Sequence, residues 1–378
     1  MINRNLSVMN IMNYYTQEKG NKPLNKAIGY VVLCVCFCFT CLTTRATTNI
    51  TVQPYEIKFN YDNSGFGSDA LTIRDATGGA QNAPEWAYNS GNPISEKFAY
   101  IMGQSNRSIH VRFNSNCTDM HLIINLTVTS GTGVGTVCNY FVANYTALDW
   151  ITLQLSGNIP WSVGIRNFTW QWSVYAIPND AAYCSATSTF NTSHIYYTLL
   201  AEPQAPMAEP WSSVLDYACS WASAQTTITG AASAITQSLY SSGFYYESTR
   251  GAPGYGDTWS EFLLNDFLSD LGSPYTVNCL DMAKAVVTFA NAFGATLTLR
   301  RFHSSIYVGG NGVGYSLNYI DPIGSTPATN NTFSTPSIGD DCRTGGFGYH
   351  AFAGKGNNYI WDATLRYDVD ANPDNVSN

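Results

Sequence analysis

Asn278-Cys279-Leu280-Asp281-Met282-Ala283 opens the run NCLDMAKAVVTFANAFG, residues 278 to 294, and its reading decides the fold of the C-terminal part. An asparagine ahead of an apolar-periodic segment accepts hydrogen bonds from the unpaired N–H groups of a first helical turn, and an aspartate inside that turn complements the positive end of the helix. Ala283, Val286, Ala290 and Phe293 recur at helical spacing, and Gly294 stops the segment. The pattern predicts a helix whose first residue is Cys279. A thiol attacks a carbonyl as its thiolate, and the N–H groups and dipole at a helix start favour that form. Most free cysteines are nonetheless inert small hydrophobes, so the partners of Cys279 decide its role.

Downstream, TLTLRRF (296–302) reads as a strand and a stretch rich in Gly, Asn and Pro runs to Gly348. YHAFA (349–353), GKGNN (354–358) and YIWDATL (359–365) then read as strand, turn and strand. With Gly354 to Asn358 as a five-residue loop, Ala353 faces Tyr359, Ala351 faces Trp361 and His350 faces Asp362. Opposed residues on one sheet face have Cβ atoms about 5 Å apart, close enough for a carboxylate to accept a hydrogen bond from an imidazole N–H. That bond holds the ring in one tautomer and supports the imidazolium formed when it takes a thiol proton. The segment from Tyr307 to Gly348, with Asp321-Pro322-Ile323-Gly324 inside it, reads either as a cover for a cleft or as an inert surface loop.

Upstream, helical spacing is found over Trp211–Ala224, Thr229–Leu239 and the shorter Phe262–Leu271. The Pro-rich link Ala201–Pro210 separates them from alternating runs bounded by turn residues: EIKFNY (56–61), SIHVRFN (108–114), HLIINLTV (121–128), WITLQL (150–155), FTWQWSVYAI (168–177) and HIYYTLL (194–200). Strands at that spacing read as an antiparallel β-sandwich. The expected organisation is a leader over 1–46, an all-β sandwich over 47–205 and an α+β domain over 206–378.

These residues carry a resemblance. Cys279-Leu280-Asp281-Met282-Ala283 resembles the transglutaminase-like motif of cysteine, any residue, aspartate, any residue, alanine at a helix start, while Tyr349-His350-Ala351-Phe352 and Tyr359-Ile360-Trp361-Asp362-Ala363-Thr364 resemble that family's histidine and aspartate strands. The likeness spans Trp211 to about Asp370, in family order. It implies a papain-like triad in which Cys279 is the nucleophile, His350 the base and then acid, and Asp362 the residue that orients His350. Asn278 stands where the family often has glycine, and Phe352 where it often has tryptophan after the His-Ala pair. The oxyanion would be held by the N–H of Cys279 and a second donor, with Trp259 and Tyr275 among the candidates.

Composition bounds the function. Charged residues make up 12% of the 378 and the net charge is −8, so no basic patch could neutralise a run of phosphates and nucleic acid is not expected as a partner. No His or Cys pair outside the leader has metal-ligand spacing, and neither metal nor cofactor is expected. The uncharged run AIGYVVLCVCFCFTCL (27–42) follows Lys19, Lys22 and Lys26. Its length suits a signal-peptide core, with an uncleaved anchor as the alternative, and either places the rest outside the cytoplasm, touching membrane only through the leader. Six of the ten cysteines lie beyond it, and Cys117 with Cys138 is the one pairing the sequence suggests. The expected activity is thiol-dependent acyl transfer or amide hydrolysis on a protein or peptide substrate. A cysteine peptidase and a non-catalytic cell-surface binding protein with a retired enzyme domain are the alternatives.

Overall fold

A computed structural model describes residues 48–61, 69–89, 92–247, 252–256, 258–303, 320–323, 349–356 and 358–367. The leader, the greater part of Tyr307–Gly348 and Cys342 lie outside the described residues. The chain is β-rich with few helices. The strands in order are β1 (Thr48–Asn49), β2 (Val52–Lys58), β3 (Trp86–Ala87), β4 (Ile94–Ser95), β5 (Phe98–Ile101), β6 (Arg107–Ser115), β7 (Asp119–Gly131), β8 (Val137–Thr146), β9 (Ile151–Leu155), β10 (Gly164–Pro178), β11 (Tyr183–Cys184) and β12 (Ala186–Leu199). Four helices follow: α1 (Ser212–Trp221), α2 (Ile228–Tyr240), α3 (Leu264–Asp270) and α4 (Cys279–Asn291), with the short strands β13 (Tyr245–Tyr246) and β14 (Thr276–Val277) between them. The chain then runs through β15 (Thr298–His303), β16 (Ile320–Pro322), β17 (Tyr349–Lys355), β18 (Tyr359–Trp361) and β19 (Leu365–Tyr367).

Two five-stranded sheets, ordered β4-β3-β2-β6-β9 and β5-β12-β10-β7-β8, bury one apolar cluster between them. Period-two alternation puts Ile109, Val111 and Phe113 of β6 and Trp170, Trp172 and Val174 of β10 into it, all fully buried. A second cluster gathers the faces of α1, α2 and α4 and continues into Val163, Tyr197 and Leu199. Asp216 of α1 accepts from Lys97 at 2.6 Å and from Tyr197 Oη at 2.8 Å, which holds α1 against β12. The described residues from Asn49 onward form one compact unit.

Two expectations change here. The Cys117–Cys138 pairing fails: both are free thiols, Cys117 buried and Cys138 exposed. In the β7–β8 hairpin Asp119 faces Thr146 and Leu126 faces Val137, so the two cysteines sit near opposite ends of a ladder roughly 20 Å long at ~3.3 Å per residue, and a disulfide needs Cα atoms within about 7 Å. The amphipathic stripe on α4 is also too narrow a picture. Every residue of α4 is buried, Lys284, Thr288 and Asn291 included, so it is a central helix wrapped on all sides. The Pro-rich link is fastened to the end of α4. Ala201 and Gln204 donate to the carbonyls of Phe293 and Asn291 at 3.1 and 2.9 Å, and Asn291 Nδ2 donates to Ala205 O at 2.6 Å.

Candidate functional site

The site begins at the N-terminus of α4. Asn278 Oδ1 accepts from the N–H groups of Leu280 and Asp281 at 2.8 and 3.0 Å, and Asp281 Oδ2 reaches back to the N–H of Asn278 at 3.1 Å, closing a capping box. The N–H of Cys279 is not taken by this cap. Asp281 does more than finish a helix. Its carboxylate also accepts from the N–H groups of Gly254 at 2.8 Å and Tyr255 at 3.1 Å, and Lys284 Nζ donates to Gly256 O at 3.1 Å. The 252–256 segment is thereby fastened to the turn that carries Cys279. Burial raises the carboxyl of Asp281 above the usual carboxylate range, and the three N–H donors and Lys284 oppose that shift.

Opposite α4 lies the sheet β15-β17-β18. Ala351 packs with Cys279, Leu280 and Ala283, and Leu299 and Tyr349 close over that cluster. The small side chains at 351 and 353 let the sheet approach the helix closely. Ala353 pairs with Trp361, Gly354 with Ile360 and Lys355 with Tyr359, so the hairpin turns at 356–358 and not at 354–358. The register therefore differs by two residues from the sequence-derived one, and His350 does not stand directly opposite Asp362. A slip of one residue would have turned the side chains to opposite faces, whereas two residues preserves the face. Asp362, just past the end of β18, lies diagonally across and still meets the ring: His350 Nε2 is 2.5 Å from Asp362 Oδ2.

The other carboxylate oxygen, Oδ1, accepts from the N–H groups of Thr364 at 2.8 Å and Leu365 at 3.3 Å, which locks the carboxylate on the histidine. His350 is buried, 8% exposed, and Cys279 adds to the pull of Asp362 on its proton. With Nε2 engaged by Asp362, Nδ1 is the nitrogen left for sulfur. Burial works against a charged ring, but the Asp362 carboxylate and Cys279 outweigh it and push His350 up to about 10. At neutral pH the ring carries the proton.

All three sequence-derived candidates thus converge: Cys279 at a capped helix start, 4% exposed, His350 beside it and Asp362 behind His350. A cleft of about 540 Å³ opens next to them, lined by Trp259, Leu299, Arg300, Arg301 and Phe352. Trp259 stands in its wall, while Tyr275 is exposed ahead of β14 and is not part of the lining. The side chain of His303 lies outside the described residues. Sequence reading passed over the clamp made by Asp281 and Lys284 and over Arg301. The clamp joins residues 25 or more positions apart and leaves no local signal, whereas an arginine alternating with apolar residues on β15 is visible in the sequence but has no meaning until its neighbours are known.

Among the described residues no group of His, Cys, Asp and Glu could hold a metal ion, and no helix is long and apolar enough to cross a membrane. No protein-family model matches the chain, and no curated protein matches it.

Proposed function

We propose that the chain is a thiol-dependent enzyme of transglutaminase-like type, an N-terminal β-sandwich followed by an α+β catalytic part, exported by its apolar leader. The observation that carries this reading is the 2.5 Å bond from His350 Nε2 to Asp362, which leaves the other ring nitrogen for the thiol of Cys279 at the start of a capped, fully buried helix. A carboxylate that fixes an imidazole against a thiol is the arrangement that thiol acyl transfer needs.

In the reaction the sulfur of Cys279, its proton already on His350, attacks the carbonyl carbon of a glutamine side chain or peptide amide. The N–H of Cys279, left over by the cap, donates to the oxyanion. His350 then gives its proton to the departing nitrogen as the C–N bond breaks, leaving a thioester. Water or an amine loses a proton to His350 and attacks the thioester, returning the thiol.

Alkylation of the purified protein by iodoacetamide at mildly acidic pH tests the reading. Cys279 is expected to react ten-fold or more faster than a free thiol, for which only a small fraction is thiolate at that pH, and His350→Ala to abolish the excess. A Cys279 that reacts like a free thiol in both proteins overturns the proposal.

A further inference from the structure

Cys279, His350 and Asp362 account for bond breaking but leave the cleft beside them unused, and its wall carries a charge the reaction does not need. Arg301 pairs across the sheet with Ala351, which itself packs against Cys279, and Leu299, two residues before it on the same face, closes over that cluster. The Arg301 guanidinium lies over the Trp259 ring, 5.3 Å from its centre, and both line the cleft. Its neighbour Arg300, which also lines the cleft, is engaged within the sheet: its Nη1 donates to Gly356 O at 2.5 Å and its Nε to Thr298 Oγ1 at 3.2 Å. Among the described residues no carboxylate pairs with Arg301, in a chain whose net charge is −8.

A guanidinium attracted by an indole face still has edge N–H groups to donate, and its planar fork matches a carboxylate. We infer that Arg301 and Trp259 form a specificity site for an anionic acyl donor, a peptide amide with a carboxylate close to the scissile bond. The inference rests on the proposed function and names the substrate class of the same site. The ring face presents apolar surface to the donor's chain while the fork takes its charge, so a donor whose carboxylate is replaced by carboxamide loses the fork's two hydrogen bonds and the charge attraction together.

Paired alkylating reagents separate this inference from the function itself. Iodoacetate and iodoacetamide form the same kind of S–C bond at Cys279 with loss of iodide and differ only in carrying a carboxylate or a carboxamide. The ratio of their rate constants at Cys279, followed by mass spectrometry of the full-length protein, is expected to fall roughly five-fold in Arg301→Gln, the effect of one unit charge at a partly solvated site. It should fall further in Arg301→Glu, be largely retained in Arg301→Lys, and shrink toward that of Arg301→Gln in high salt. A ratio that stays the same in Arg301→Gln and Arg301→Glu, with Cys279 still fast toward iodoacetamide, overturns the anionic site and leaves the enzyme standing. A Cys279 that is slow toward both reagents brings down the function, and this inference with it.

Discussion

At the residue scale the decisive contact is the one between His350 and Asp362. Removing the carboxylate charge while keeping its shape, Asp362→Asn, takes away the largest influence that raises His350, so the histidine titrates at lower pH. The alkaline limb of kcat/KM, which requires a protonated His350 for the departing nitrogen, is expected to move from near pH 10 in the parent to lower pH in Asp362→Asn, read from a pH–rate profile. A limb that stays in place would mean that some other group supplies the proton. Asp281 makes a second residue-scale case. Asp281→Asn keeps one oxygen but turns an amide donor toward N–H groups that now donate to Oδ1 and Oδ2. Leaving one such buried donor unmet costs about 1–3 kcal/mol, which chemical denaturation will read as a lower midpoint. Cys279 was legible in the sequence because capping is short-range chemistry: Asn278, Asp281 and Gly294 lie within one helix length of one another and each acts on the backbone beside it.

Elements were legible where their pattern is simple and were missed where packing overrides it. β6, β7 and β10 alternate cleanly and were read from the sequence, but β8 was not. It carries Asn139 and Asn144 at positive φ and its register against β7 shifts twice, so its apolar residues lose the period of two. β5 escaped for another reason: Phe98, Ala99 and Tyr100 are all buried, and a short apolar run pairing in parallel with β12 shows no alternation at all. The hairpin was misread by two residues because Gly354 and Lys355 look like turn residues yet stay in the ladder. A Cβ on Gly354 would come within 2.7 Å of Arg300 Cδ, which crosses over it from β15, so the glycine is there for close packing. Gly294 gives the matching prediction at the C-terminus of α4. Its φ is +92° and a Cβ there would stand 2.8 Å from the backbone of Ala201, so Gly294→Ala strains the backbone and pushes the link off the helix. It should destabilise by more than the ~1 kcal/mol of the left-handed conformation alone, measured by thermal unfolding.

At the scale of the whole molecule, Glu85 and His350 stand out among the groups whose proton affinity rises on folding, because both titrate between mildly acidic and alkaline pH. Glu85, 4% exposed beside the first cluster, accepts from the N–H groups of Phe59 and Asn60 at 2.8 and 3.3 Å, and burial raises it from 4.5 to about 7. His350, against α4, rises from 6.5 to about 10. In both, the folded chain binds the proton more tightly than the unfolded one, so stability falls wherever the folded state holds a proton that the unfolded state has released. The contribution of Glu85 is complete below pH 4.5 and is lost as pH rises through about 7, on the order of 3 kcal/mol in all. That of His350 is complete below pH 6.5 and is lost as pH rises through about 10. His194, which burial pushes down to about 3, works in the opposite sense: below pH 6.5 its unfolded form takes a proton that its folded form does not. Stability is therefore expected to stay nearly level from pH 4.5 to 6.5 and to descend from there toward pH 10. Glu85→Gln, which keeps an acceptor but no proton to lose, should turn the level stretch into a rise and leave the upper descent, whereas Asp362→Asn should shift that descent to lower pH. Melting temperatures measured at intervals from pH 4.5 to 10 in the three proteins decide this, since a profile altered by neither variant would place the linked protons on other groups.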